Sequence, residues 1–81
     1  MENLSEDELK ILLAIARSDN SESDAESLIR ILNLSEAKAH YYFCRLSFGK
    51  NYLFWIGSPG EPDRYILTDR GRQFLLEGSY I

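Results

Sequence analysis

The stretch that most constrains this chain is residues 25–46, AESLIRILNLSEAKAHYYFCRL. Ala25, Leu28, Ile29 and Leu32 keep helical spacing and then stop; Ala39, Phe43 and Leu46 resume it. Between the two runs, Asn33 is a residue type that accepts the left-handed backbone ending a helix, and Ser35 one that caps the next. Two amphipathic helices joined by a short turn and anchored by a buried Leu34 make a helix-turn-helix unit. The rest of the chain reads as its support.

Upstream, Leu4-Ser5-Glu6-Asp7-Glu8-Leu9 carries the signals of a helix start. Ser5 and Glu8 have capping-box spacing, and Leu4 and Leu9 are placed for a hydrophobic staple. The helix should run from about Glu6 to Arg17. Leu9, Leu12, Leu13 and Ala16 form one stripe, while Ile11 and Ile15 sit round from its centre. A helix this apolar is buried on more than one side, as a deep core helix or at a subunit interface. Ser18 to Ser23 reads as a polar loop without structure of its own, and Ser23 with Glu26 repeats the capping-box spacing ahead of a helix ending near Leu32.

Downstream, the helix opened by Ser35 runs to about Phe48 or Gly49, where Gly49 and Asn51 are the residues able to take positive φ. Leu53-Phe54-Trp55-Ile56 and Arg64-Tyr65-Ile66-Leu67 read as strands of a hairpin around the turn-rich Gly57 to Asp63, with Trp55 and Tyr65 as neighbours in the core. Thr68 caps a last helix from Asp69 to about Glu77.

An 81-residue chain makes one domain, 1–81, burying about 60–65% of its unfolded surface. One cysteine allows no internal disulfide and no cysteine-based metal site, which fits a reducing compartment. No apolar run approaches the ~20 residues of a membrane span, and the acidic N-terminus is unlike a signal peptide, so a cytoplasmic location without a membrane partner is expected. The net charge of −4 is unevenly spread: residues 1–26 hold eight acids and two bases, residues 27–81 five acids and seven bases. The half carrying the helix-turn-helix unit is thus mildly basic, which is compatible with DNA.

The order helix, helix, helix, strand, loop, strand, helix resembles a winged helix-turn-helix domain of the bacterial and archaeal transcription-regulator type. Residues 25–53 are similar to that family's helix, turn carrying Leu34-Ser35, recognition helix and strand opening at Tyr52-Leu53. Residues 65–75, YILTDRGRQFL, are the more specific part: a strand ending in Leu-Thr, then a glycine and an arginine leading into a Phe-Leu helix. The resemblance covers nearly the whole chain. It implies a mainly α fold with a small β-hairpin: three-helix core, two-stranded wing and C-terminal helix. It also implies double-stranded DNA as partner, with the third helix in the major groove and the 57–64 wing on the backbone.

With Ala39, Phe43 and Leu46 inward, the 3.6-residue period turns Ala37, Tyr41, Cys44 and Phe48 outward, flanked by Lys38 and Arg45 on one side and His40 and Ser47 on the other. On the DNA reading the contacts fall to Ser35, Lys38, Tyr41, Arg45, Lys50 and Arg64; arginine suits a guanine edge and Tyr41 a phosphate or thymine methyl. The alternative is a protein-interaction module that binds no DNA. Tyr41, Cys44 and Phe48 make an aromatic stripe poor in charge, as protein-binding surfaces do, while Glu61 and Asp63 at the wing tip would repel phosphates.

The excess of apolar residues at Ile11, Ile15, Phe54 and Ile56 points to a homodimer interface. His40, the single histidine, has no second ligand at metal-binding spacing and reads as a surface residue; Cys44 reads as an inert thiol. Arg70 and Arg72 read as a solvated helix face. No nucleophile triad and no phosphate-binding glycine loop can be assembled, so neither an enzyme nor a cofactor or metal is expected.

Overall fold

The structure is a computed structural model that describes residues 4–81; residues 1–3 of the expected domain lie outside the described residues. Four helices, α1 (Glu6–Ala16), α2 (Ala25–Leu32), α3 (Glu36–Cys44) and α4 (Asp69–Glu77), surround a sheet of three short strands. The strands are β1 (Glu22–Asp24), β2 (Leu53–Ile56) and β3 (Arg64–Leu67), all antiparallel, in the order β1-β3-β2.

The local signals hold at most helix ends. Ser5 caps α1 and forms a complete capping box with Glu8. Asn33 ends α2 in the left-handed region at φ 55°, and the Ser35 hydroxyl accepts from the Lys38 N–H to start α3. Leu34 packs against the core and is half-buried rather than fully enclosed. At α2 the expected Ser23–Glu26 box does not form: Asp24 is the cap, accepting from both the N–H and the hydroxyl of Ser27. Those two bonds lead among the influences that hold the Asp24 carboxyl below its ordinary value.

The expected two-stranded sheet has a third member. Residues 18–23, expected as a loop, form a tight turn at Asp19–Ser21 and then β1, in which Glu22, Ser23 and Asp24 face Ile66, Tyr65 and Arg64 of β3. The hairpin itself pairs as expected, with Leu53 opposite Leu67 and Trp55 opposite Tyr65. Trp55, however, is 44% exposed and leaves the core to Tyr65. The Tyr65 ring stacks on Phe43 of α3 at 4.7 Å, and burial, followed by the charges of Asp63 and Cys44, pushes its hydroxyl up to about 12.

Helix α1 lies against α2, α4, β1 and β3 at once. Ile11 and Ile15 are therefore 0% exposed, and the expectation that they form a dimer interface is overturned: the third strand and α4 close over the side of α1 that was expected to need a partner. Of that set only Phe54 is exposed, with Ile56 half-buried.

A clasp joins the start of α4 to the chain ahead of β2. Thr68 Oγ1 donates to the Asn51 carbonyl at 2.6 Å and accepts from the Gly71 N–H, while the Thr68 N–H donates to the Tyr52 carbonyl. Gly71 is required by this approach, since a Cβ there would overlap the Tyr52 carbonyl oxygen. The Tyr52 ring then stacks on Phe74 of α4 at 4.9 Å.

Candidate functional site

Helix α3 does not run on regularly to Phe48. At Arg45–Gly49 it widens into one π-type turn, closed by the Lys50 N–H on the Arg45 carbonyl at 2.8 Å. Such a turn adds a residue to the helical repeat and re-aims the side chains that follow. Ser47, expected on an outer flank, is instead buried, its hydroxyl donating to the Phe43 carbonyl. Asn51 then takes φ 59° to release the chain into β2; Gly49 does not adopt positive φ.

The outward stripe survives this change: Ala37, Tyr41, Cys44 and Phe48 are all exposed, and so is Lys38. Arg45 does not project freely. Its Nε donates to Glu8 Oε2 at 2.8 Å, and the guanidinium carbon lies 6.0 Å from the centre of the Tyr41 ring. Glu8 is only 3% exposed, although its sequence context is fully explained by helix capping. Burial raises the Glu8 carboxyl, but the bonds from Arg45 and Ser5 and the Arg45 charge outweigh it and hold the group below its ordinary value. The same bond, together with the Glu8 charge, raises Arg45. Sequence reasoning had no signal for this pair, because the helical period gives a side chain's face and not the direction in which it bends.

Arg64, the first residue of β3, is held in a similar way. Arg64 Nε pairs with Glu22 of β1, 42 residues away in sequence. Lys50 follows the π-type turn and is half-buried. Thus Lys38 and Tyr41 lie on α3, Ser35 caps it and Arg45 opens the π-type turn that follows it, whereas Arg64 belongs to the β1–β3 pairing.

Two concavities flank this surface. One, of about 390 Å³, is lined by Phe48, Leu53, Phe54, Trp55, Asn51 and Thr68, with the Phe48 and Trp55 rings edge to face at 6.2 Å. The other, of about 260 Å³, brings His40 together with Glu26, Glu36, Glu61 and Asp63. The surface on either side of α3 therefore differs in character: aromatic toward β2, acidic toward the 57–63 loop. Among the described residues no group of three or more His, Cys, Asp or Glu side chains is arranged to hold a metal, and no helix is long and apolar enough to cross a membrane.

Comparison of the chain with protein-family models, with curated proteins and with solved structures returned no match.

Proposed function

We propose that the chain is a winged helix-turn-helix regulator that binds double-stranded DNA, with α3 as the reading helix and the 57–64 loop as the wing. The observation that carries this reading is the way Arg45 is held. Glu8 engages its Nε edge, and the side chain remains partly exposed beside Tyr41 and about two helical turns from Lys38. An arginine positioned by a buried carboxylate gives up little rotamer freedom on binding, and its fork suits phosphate or a guanine edge. The order β1-β3-β2, with β1 between the first two helices, supports the same architecture. Titrating labelled mixed-sequence duplex with the protein at low and moderate salt tests it. Binding that weakens steeply with salt is expected, and no affinity at low salt would defeat the reading.

A second reading is favoured by a different observation. Phe48 is 69% and Phe54 61% exposed beside Trp55, and the concavity on the other side of α3 is acidic. Aromatic residues with few charges are enriched at protein interfaces, and acids weaken a phosphate-binding surface. On this reading Tyr41, Cys44 and Phe48 meet a protein partner. Substituting Tyr41 or Phe48 would then abolish partner binding, while Arg45 would hardly matter.

A further inference from the structure

We propose that α3 selects its DNA site by the methyl groups of thymine, with Ala37, Tyr41 and Cys44 as the residues that meet them, a proposal that rests on the DNA-binding reading. All three are exposed, and at positions i, i+4 and i+7 of one helix they share a face. From Ala37 to Cys44 the helix rises about 10 Å, the length of about three base-pair steps.

The chemistry of that face is narrow. In the major groove adenine is read by Asn or Gln, cytosine by Asp or Glu, guanine by Arg or Lys, and the thymine methyl by apolar groups. Helix α3 contains no Asn, Gln or Asp. Its one acid, Glu36, lines the concavity with His40, Glu61 and Asp63, on the side of the helix turned toward the 57–63 loop. The hydroxyls at either end are engaged by the backbone: Ser35 accepts from the Lys38 N–H, and Ser47 donates to the Phe43 carbonyl. Lys38 and Arg45 flank the face and suit phosphate or a guanine edge. What the face itself offers is a methyl group, an aromatic ring and a thiol, and a free thiol behaves as a small apolar group.

The three residues differ in reach. Ala37, the smallest, lies in the first turn of α3, where a reading helix comes closest to the base edges. The Tyr41 ring is 60% exposed, 5.8 Å from the Tyr42 ring and 6.0 Å from the Arg45 guanidinium carbon, so a cation stands beside it for the neighbouring phosphate or guanine. Each thymine methyl covered by this face leaves water, which is worth about fourfold in affinity, or about 0.8 kcal/mol.

The test starts from a duplex library with a randomised centre and keeps the fraction that the protein retains at low salt. The enriched duplex is then made again with deoxyuridine in place of thymidine. The exchange removes the C5 methyl and leaves every hydrogen-bonding group of the base where it was. Thymine should be enriched within about three adjacent base pairs. The uracil duplex should bind about fourfold more weakly for each methyl contacted. Tyr41→Ser and Cys44→Ser, checked by circular dichroism, should each narrow the ratio of thymine to uracil affinity. Equal affinity of the unmutated chain for the two duplexes overturns the proposal and leaves DNA binding standing, as does a preference that both variants retain in full. No affinity for any duplex at low salt removes the DNA-binding reading itself, and the thymine proposal with it. Should Tyr41→Ser misfold, Cys44→Ser and the comparison of the two duplexes on the unmutated chain decide the matter.

Discussion

Arg45 at the end of α3 and Glu8 in the first turn of α1 are joined by an Nε-to-carboxylate bond of 2.8 Å across 37 residues of sequence. The bond ties the C-terminal end of α3 to the buried helix α1. Glu8 also accepts from the Ser5 N–H, so one carboxylate caps α1 and orients Arg45.

The pair gives stability a pH dependence. Glu8 is held below its ordinary 4.5 in the folded state. Its contribution is therefore fully present above about that pH and is lost as pH falls through the lower folded value. Glu8→Gln preserves the capping spacing but removes the charge, and should flatten the acid limb of a stability-against-pH curve. Glu8→Ala removes the bond to the Ser5 N–H and the Arg45 pair together, and should cost about 1–3 kcal/mol in a denaturant titration near neutral pH.

Tyr65 works at the opposite end of the scale. Its hydroxyl is pushed up to about 12 in the folded chain, so above the ordinary tyrosine value near 10 the unfolded chain ionises first. Stability present below that value is lost as pH rises from about 10 to about 12. Denaturant titrations at about pH 8 and about pH 11 should show the unmutated chain losing more stability than Tyr65→Phe.

Gly71 sits in the first turn of α4, where alanine would ordinarily favour the helix by about 1 kcal/mol. Here the added Cβ meets the Tyr52 backbone carbonyl and the Leu67 side chain. Overpacking against backbone costs about 1–3 kcal/mol, so the steric term should win and Gly71→Ala should lower thermal stability. An unchanged or raised melting temperature would mean that α4 moves away from Tyr52 without cost.

What was legible in the sequence was local. Ser5, Asn33, Ser35 and Thr68 end or start helices by hydrogen bonds and backbone conformations spanning a few residues, and all four do so in the structure. What was not legible depends on distant partners. Glu22-Ser23-Asp24 has no strand preference of its own and becomes β1 because β3, some forty residues on, offers an edge. Ser47 turned inward because a π-type turn broke the 3.6-residue period on which its outward placement rested. Trp55 gave its core place to Tyr65, which alone of the pair meets Phe43. At the candidate site, the exposed stripe followed from periodicity, while the tethering of Arg45 and Arg64 by acids did not.

The most direct test of the central claim is the salt dependence of DNA affinity for the unmutated chain, Lys38→Ala and Arg45→Ala, measured side by side on the same duplexes. Each lost phosphate contact should flatten the slope of log affinity against log salt by roughly 0.9. Lys38→Ala should weaken all sequences alike. Arg45→Ala should cost about 1–3 kcal/mol and relax base preference where it pairs with a guanine edge. Identical slopes and affinities for all three proteins, or no affinity even at ~50 mM salt where phosphate contacts are strong, would contradict the account.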